Sequence, residues 1–321
     1  MFRLALALLC LLAAPLAQAQ AQAYPGRPVR IVVPFPPGAA TDTLARLIAQ
    51  RLTETWGQPV TVDNRPGAGS IIGAETSAKS APDGTTIFMG HIGTHGANPA
   101  LYAKLPYDPV RDFAPVSLLV TIPNLLAVHP SLPVTSVREL IDLAKSRPGA
   151  LNIGSPGIST SSHLIIALFG SLTGTNMTHI PFKGTVAAMQ GFVGGDVQVA
   201  FDTVTAIMPQ ARAGKVRVLA ITSKERSATA PDVAPLAESG VPGFDVSTWF
   251  AFFVPTGTPR TVIDRVNTDV VRIMQTRDMS DRLQGMGMNV VASSPEQLAS
   301  HVASEIARWG RVVKEANIKV E

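Results

Sequence analysis

Val29-Arg30-Ile31-Val32-Val33 runs into Pro34-Phe35-Pro36-Pro37-Gly38-Ala39-Ala40 and then into the helix-like stretch Thr41–Leu52. The same plan returns about 120 residues later as the strand-like Leu151–Gly154, the loop Ser155-Pro156-Gly157-Ile158-Ser159-Thr160 and the helix-like Ser161–Leu172. Each copy is followed by another strand, a Gly-containing loop and a helix. In the first half these are Val60–Asp63, Asn64–Ser70 and Ile71–Ser80; in the second they are Met177–Ile180, Pro181–Gly184 and Thr185–Phe192. Strands alternating with single helices predict right-handed βαβ units in mostly parallel sheets flanked by helices. Two matched lobes with helix N-termini at Gly-rich strand ends form a cleft suited to a small anion.

Bulk properties narrow the class. Arg3, the apolar run Leu4–Leu16 and overlapping A-x-A sites at residues 17–23 describe a secretory signal peptide over residues 1–23, cut after Ala19, Ala21 or Ala23. The run is too short to span a bilayer comfortably. Cys10, the one cysteine, falls inside it behind Leu9, where a lipoprotein site wants a small residue. The mature chain then has no disulfide and no thiolate chemistry. About 300 residues favour two domains. Without Arg3 the 27 basic residues become 26 against 23 acidic ones, too small a surplus for a nucleic-acid surface.

The organisation follows from the same reading. Thr85–Met89 is a third strand of the first lobe. Val116–Val128, interrupted by Pro123, reads as a strand leading out of that lobe and a connection into the second. Ser136 and Glu139 make a capping box for a helix over Val137–Lys145. Val216–Thr222 is a strand before the loop-rich Ser223–Gly243, and Val246–Val254 carries the chain back. Thr258-Pro259 opens the helix Arg260–Thr276, and Ser294, Pro295 and Gln297 open the last one. The expected domains are residues 24–122 plus 251–321 for the first lobe and 123–250 for the second, with two strand-like crossings as a hinge.

Candidate ligand contacts come from the strand ends. In the first loop, Phe35, Gly38, Ala39 and Thr41 are expected at the ligand: Gly38 lets the backbone approach and Thr41 caps the helix. Free N–H groups of the first turn favour a carboxylate or phosphate by roughly 0.3–1 kcal/mol. The bland reading is an ordinary βα turn, with Asp42 compensating the helix dipole. Asn64 is a donor to an acidic ligand, while Arg65 more commonly makes an ion pair. His91 and His95 stand four apart, but Gly93 and Gly96 argue against the helix that such a metal pair needs, and no acid or cysteine completes a site. Thr94 is the better pocket residue of that segment. Ser155, Gly157, Thr160 and Ser161 gather uncharged donors at a helix start, and His163 either faces the cleft or packs. Lys183, Gly184 and Thr185 repeat the arrangement at the next helix. Asp202, with Thr203, either contacts the ligand at a strand end or caps the helix beyond. No G-x-S-x-G elbow or Ser–His–acid spacing supports an enzyme, and no cofactor or metal is implied.

Taken together, Pro36-Pro37-Gly38 with Asp42 and Ala45-Arg46, Asn64-Arg65-Pro66-Gly67-Ala68-Gly69, Pro82-Asp83-Gly84, Asn98-Pro99-Ala100-Leu101-Tyr102, Asp112-Phe113, Pro181-Phe182-Lys183-Gly184, Gly194-Gly195-Asp196-Val197 and Val254-Pro255-Thr256-Gly257-Thr258-Pro259 form a pattern in order along the chain. It resembles the tripartite tricarboxylate transporter substrate-binding receptors, the Bug family. That resemblance implies a two-lobed periplasmic-binding-protein fold of type II character, closing on a small carboxylate and delivering it to ion-driven membrane permease subunits. It places one ligand carboxylate between Phe35–Thr41 and Ser155–Ser161, with specificity near Thr94, Phe182–Thr185 and Asp202-Thr203. Where the family has a second glycine in the first loop, this chain has Gly38-Ala39-Ala40. A periplasmic monomer that binds no nucleic acid is expected. A receptor signalling to a membrane sensor, or a secreted α/β hydrolase, are the other readings.

Overall fold

β1 (Val29–Val33) is buried except at Arg30, its one charged residue, and its four aliphatic residues suit a strand covered on both faces. It leads to α1 (Ala40–Trp56), which turns Leu44, Ile48 and Leu52 inward at helical spacing. Gly57 stops α1 in the left-handed conformation, its N–H donating to Thr53 O. β2 (Val60–Asn64), α2 (Ile71–Ala78) and β3 (Thr86–His91) follow, and β2 and β3 both pair with β1 in parallel. This computed structural model describes residues 24–315 and residue 318, so the expected signal peptide lies outside the described residues.

After β3 a buried π-helical turn, Gly93–Ala97, enters α3 (Asn98–Leu101). β4 (Phe113–Val128) is then a single strand of 16 residues rather than a strand and a connection. The second half adds α4 (Val137–Ser146), β5 (Asn152–Ser155), α5 (Ser161–Thr173), β6 (Thr178–Pro181), α6 (Thr185–Gly194), β7 (Val199–Thr203), α7 (Val204–Arg212) and β8 (Arg217–Ile221). β9 (Ser247–Pro255), α8 (Arg260–Met274), α9 (Arg277–Gly285), β10 (Asn289–Val290) and α10 (Pro295–Glu315) complete the described chain.

The strands form one sheet in the order β2-β1-β3-β9-β4-β7-β5-β6, with β8 and β10 also on β4. Pairing is parallel inside each βα repeat, but β9 and β4 are antiparallel to their neighbours, so the sheet is mixed rather than mostly parallel. β4 joins the two lobes. Phe113–Pro123 pairs with β9, whereas Asn124–Val128 pairs with β7 and β8. Pro123, which has no N–H to give a ladder, sits where the partners change.

Alternate side chains feed two cores on opposite faces of this sheet. Ile31, Phe250 and Phe252 belong to one, with Phe192 and Ile207 from the second half; Val32, Trp249, Ala251 and Phe253 belong to the other, with Leu164 and Phe169. α10 docks over the latter through Trp309. Trp309 Nε1 and Trp249 Nε1 both donate to the buried Glu305 Oε2, at 3.0 and 2.9 Å. The capping box at α4 forms with a shifted partner: Ser136 accepts from Glu139 N, and the Glu139 carboxylate accepts from Thr135 N.

Candidate functional site

The C-terminal ends of β1, β5 and β7 face one another across the lobe junction, and α1, α5, α6 and α7 start there. Their N-cap residues are Ala39, Thr160, Gly184 and Thr203. Only Thr160 caps with its side chain, accepting from His163 N at 3.3 Å. The expectation that Thr41 caps α1 is corrected. α1 begins one residue earlier, behind an alanine that has no side-chain oxygen, and Thr41 is its second residue. First-turn N–H groups of α1, α6 and α7 therefore have no side-chain acceptor from their caps.

These helix starts enclose a chamber of about 40 Å³ whose wall includes Phe35, Ala39, Thr41, Thr160, Ser161, Thr185, Asp202 and Thr203. At about 10–15 Å³ per water by the same measure, it holds roughly three waters or one carboxyl group. A wider cleft of about 560 Å³ shares Phe35, Pro156 and Thr160 with it and is bordered by Gly157, Lys183 and Gly184 from one lobe and Gly67–Ser70 from the other.

Five expected contacts are elsewhere. Gly38 N donates to Asp42 Oδ2 (3.1 Å) instead of facing the cleft. Asn64 Nδ2 is spent on Phe35 O and Asp42 Oδ1, both at 3.0 Å, and its Oδ1 accepts from Arg46. Burial raises the Asp42 carboxyl, but hydrogen bonds from Arg46, Asn64 and Gly38 N outweigh it and hold it below the usual range. Asp42 thus organises the loop that presents Ala39 and Thr41. Thr94 lies wholly buried against His91 and His95, away from both cavities. Ser155 Oγ is 2.7 Å from His179 Nε2 and also bonds Gly157 N, which shapes the loop from behind. His163 stacks on His179, with ring centroids 4.7 Å apart, and lines a separate cavity of about 570 Å³ beyond α5. Burial lowers His163 to about 4, and burial with its neighbour lowers His179 to about 4.

His91, set aside in favour of Thr94, does reach the chamber, as do Ser162, Thr248 and Phe250. Its signal was its place at the C-terminal end of β3, where ligand-facing residues of an open sheet belong. Gly93 N donates to His91 Nδ1 at 3.0 Å, so the neutral ring carries its proton on Nε2, a buried donor without a partner. Burial pushes His91 down to about 3 and keeps it neutral. His95 is also held neutral by burial, then by His91, and stacks on Phe253 at 3.8 Å. Among the described residues no group of three His, Cys, Asp or Glu is placed to hold a metal.

The lobes meet closely. Ser159, in the left-handed region at φ +61°, brings its Oγ to 3.3 Å from Tyr102 Oη. A Cβ at Gly69 would stand 2.9 Å from Ser159 Oγ, and one at Gly93 would stand 2.1 Å from Ser159 O. A Cβ at Gly184, where φ is +100°, would come within 3.3 Å of Pro36. At the crossings, Thr248 Oγ1 lies 2.7 Å from Asn124 Oδ1 and 2.6 Å from Ser161 Oγ, tying both connecting strands to the chamber wall.

This geometry has relatives. The sequence profile of the "Tripartite tricarboxylate transporter family receptor" family matches residues 44–318. The chain belongs to that family. The receptor is 36% identical to protein BugT of Bordetella pertussis over 306 residues, which is 95% of this chain and 94% of BugT. The solved structure of Rpa4515 from R. palustris with adipate superposes on the receptor with a TM-score of 0.89 at 39% identity, covering 92% of this chain and 99% of that one. MatC of Rhodopseudomonas palustris with bound malate superposes with a TM-score of 0.86 at 38% identity, covering 90% and 100%. The receptor therefore has the two-lobed periplasmic-binding fold, with its cleft between the lobes.

Proposed function

We propose that the receptor captures a small organic carboxylate between its lobes outside the cytoplasmic membrane and delivers it to the permease subunits of a tripartite tricarboxylate transporter. The observation that carries this is the convergence of four helix starts on one chamber, three without a side-chain cap. Their N–H groups and positive dipole ends favour an anion. The hydroxyls of Thr41, Ser161, Ser162, Thr185 and Thr203 add uncharged donors, which bind a carboxylate and release it again. Neither arginine nor lysine is among the chamber residues. The adipate-bound and malate-bound relatives support the ligand class.

In this reading residues 24–122 with 251–321 move as one body and 123–250 as the other, bending at Pro123-Asn124 and near Thr248. Closure follows from contacts that the ligand makes to both sides. Residues 1–23 direct export, the receptor works as a monomer, and no covalent chemistry is involved. A thermal-shift screen of residues 24–321 against mono-, di- and tricarboxylates, including adipate and malate, tests it. A ligand at a hundredfold excess over its Kd contributes about 2.7 kcal/mol, or roughly 5 °C in Tm. Thr41→Leu is expected to abolish the shift while the unliganded Tm stays in place. A panel without any shift, using protein stripped of co-purified ligand, would sink the proposal.

A further inference from the structure

Asp202 is the one acidic side chain on the chamber wall, at the C-terminal end of β7 and 3% exposed. Its Oδ1 accepts from Thr203 N at 2.7 Å and lies 3.4 Å from Thr203 Oγ1; its Oδ2 is buried without a partner. The elements packed around the chamber offer it little charge. β3 contributes His91, α1 Thr41, α5 Ser161 and Ser162, α6 Thr185, and β9 Thr248 and Phe250. β4 lies alongside with Leu125 opposite Asp202 and with Asn124, whose Nδ2 also lacks a partner. Of these only His91 titrates, and it is neutral with its proton on Nε2. Lys183 borders the wider cleft instead, and Arg46 is engaged with Asp42.

An ionised Asp202 would set one carboxylate against another in a buried space without a cation, and like charges at such a distance cannot both persist. A proton shared between them removes the conflict and gives Oδ2 the partner that it lacks. We propose that Asp202 receives the ligand as a neutral carboxylic acid, its Oδ2–H donating to one ligand carboxylate oxygen while His91 Nε2–H donates to the other, so that each captured anion is bound with one proton. The inference rests on the carboxylate reading above. Burial supports it, pushing the Asp202 carboxyl up to about 7 against the lowering by Thr203 N–H and hydroxyl.

The test is titration of residues 24–321 with adipate and with L-malate by calorimetry between pH 6 and pH 8. The competent, protonated fraction falls from about nine-tenths to about one-tenth over that range, so Kd is expected to rise about tenfold. Repeating the titration at pH 8 in two buffers of different ionisation heat should report uptake of close to one proton per ligand, with the unaltered chain alone. Asp202→Asn should bind with an affinity that no longer changes with pH. In ¹³C carboxyl spectra, the resonance missing from that variant should titrate near neutrality in the unliganded protein. Affinity that is flat or rises with pH in the wild type, or an Asp202 resonance titrating in the ordinary carboxylate range, overturns the inference and leaves the carboxylate reading standing. Failure of every acid in the panel above to bind at any pH overturns the two together.

Discussion

Gly93 is where a single methyl group would separate closing from folding. Its backbone φ is not in the left-handed region, so alanine is acceptable to the local chain, but the added Cβ would stand 2.1 Å from Ser159 O across the lobe junction and 2.6 Å from His91 Cε1. Ordinary contact begins near 3.4 Å, so the lobes must part by roughly 1 Å at Ser159 or the loop must deform. Overpacking of this kind costs about 1–3 kcal/mol. The open form escapes the Ser159 clash, so that cost falls on the closed, liganded state and converts to a Kd weakened about 5- to 150-fold. Calorimetric titration of Gly93→Ala with adipate reads the affinity, and small-angle scattering with and without ligand reads the closure. Gly310→Ala, with nothing within 4 Å of its new Cβ, serves as the control and should bind like the wild type. Wild-type affinity in Gly93→Ala would refute the reasoning, because Ser159 would not then be a closing contact. An unliganded Tm lowered by more than about 8 °C would refute it differently, by showing that strain at His91 dominates.

Three further outcomes are expected. The folded-state pKa of Asp202, about 7, stands above an unfolded value near 3.9, so its contribution to stability is complete below pH 4 and is lost as pH rises toward 7. Without ligand, Asp202→Asn should therefore gain about 2 kcal/mol, or roughly 4 °C in Tm, on the wild type between pH 5.5 and pH 8 by scanning calorimetry. His163 behaves oppositely. Burial lowers it to about 4 from an unfolded value near 6.5, so stability is complete above 6.5 and falls as pH drops toward 4, by up to about 3 kcal/mol. His163→Gln should shift the acid unfolding midpoint to lower pH, as followed by far-UV circular dichroism. Thr160→Ala removes the one side-chain cap at the chamber and should cost about 1 kcal/mol, or roughly 2 °C in Tm.

The elements that a single period decides were legible from the residues. β1 and the inward stripe of α1 stand where the aliphatic run and the 3.6-residue spacing place them. The capping box before α4 was equally plain, since it needs only local chemistry. What escaped was set by long-range pairing. The continuity of β4 through Pro123 depends on β9 ending and β7 beginning as its partner, which no local window contains. α7 does stand beyond Asp202, with Val204, Ile207, Met208 and Ala211 at helical spacing, whereas α9 offers only Met279 and Leu283 among polar neighbours, too short a stripe to announce a buried helix. At the site, residue type was a good guide to chemistry and a poor guide to direction. Asn64, Thr94 and Ser155 are polar groups at or just after strand ends, but each is consumed by a neighbour, whereas His91 is aimed into the chamber because β3 ends there.

The position of β9 between β3 and β4 also fixes an order of assembly. The strands of the second lobe, from Asn124 to Ile221, are contiguous in the chain and can pair as soon as they have been synthesised. β3 and the first part of β4, by contrast, flank a gap that only Ser247–Pro255 fills, more than a hundred residues after β4 ends. Until that segment arrives, Phe88–His91 and Phe113–Pro123 present open edges, and those edges are mostly buried apolar residues in the finished sheet. A chain truncated before Ser247 therefore yields a formed second lobe attached to two sticky, unmatched strands. Its fate is aggregation rather than a half-active receptor.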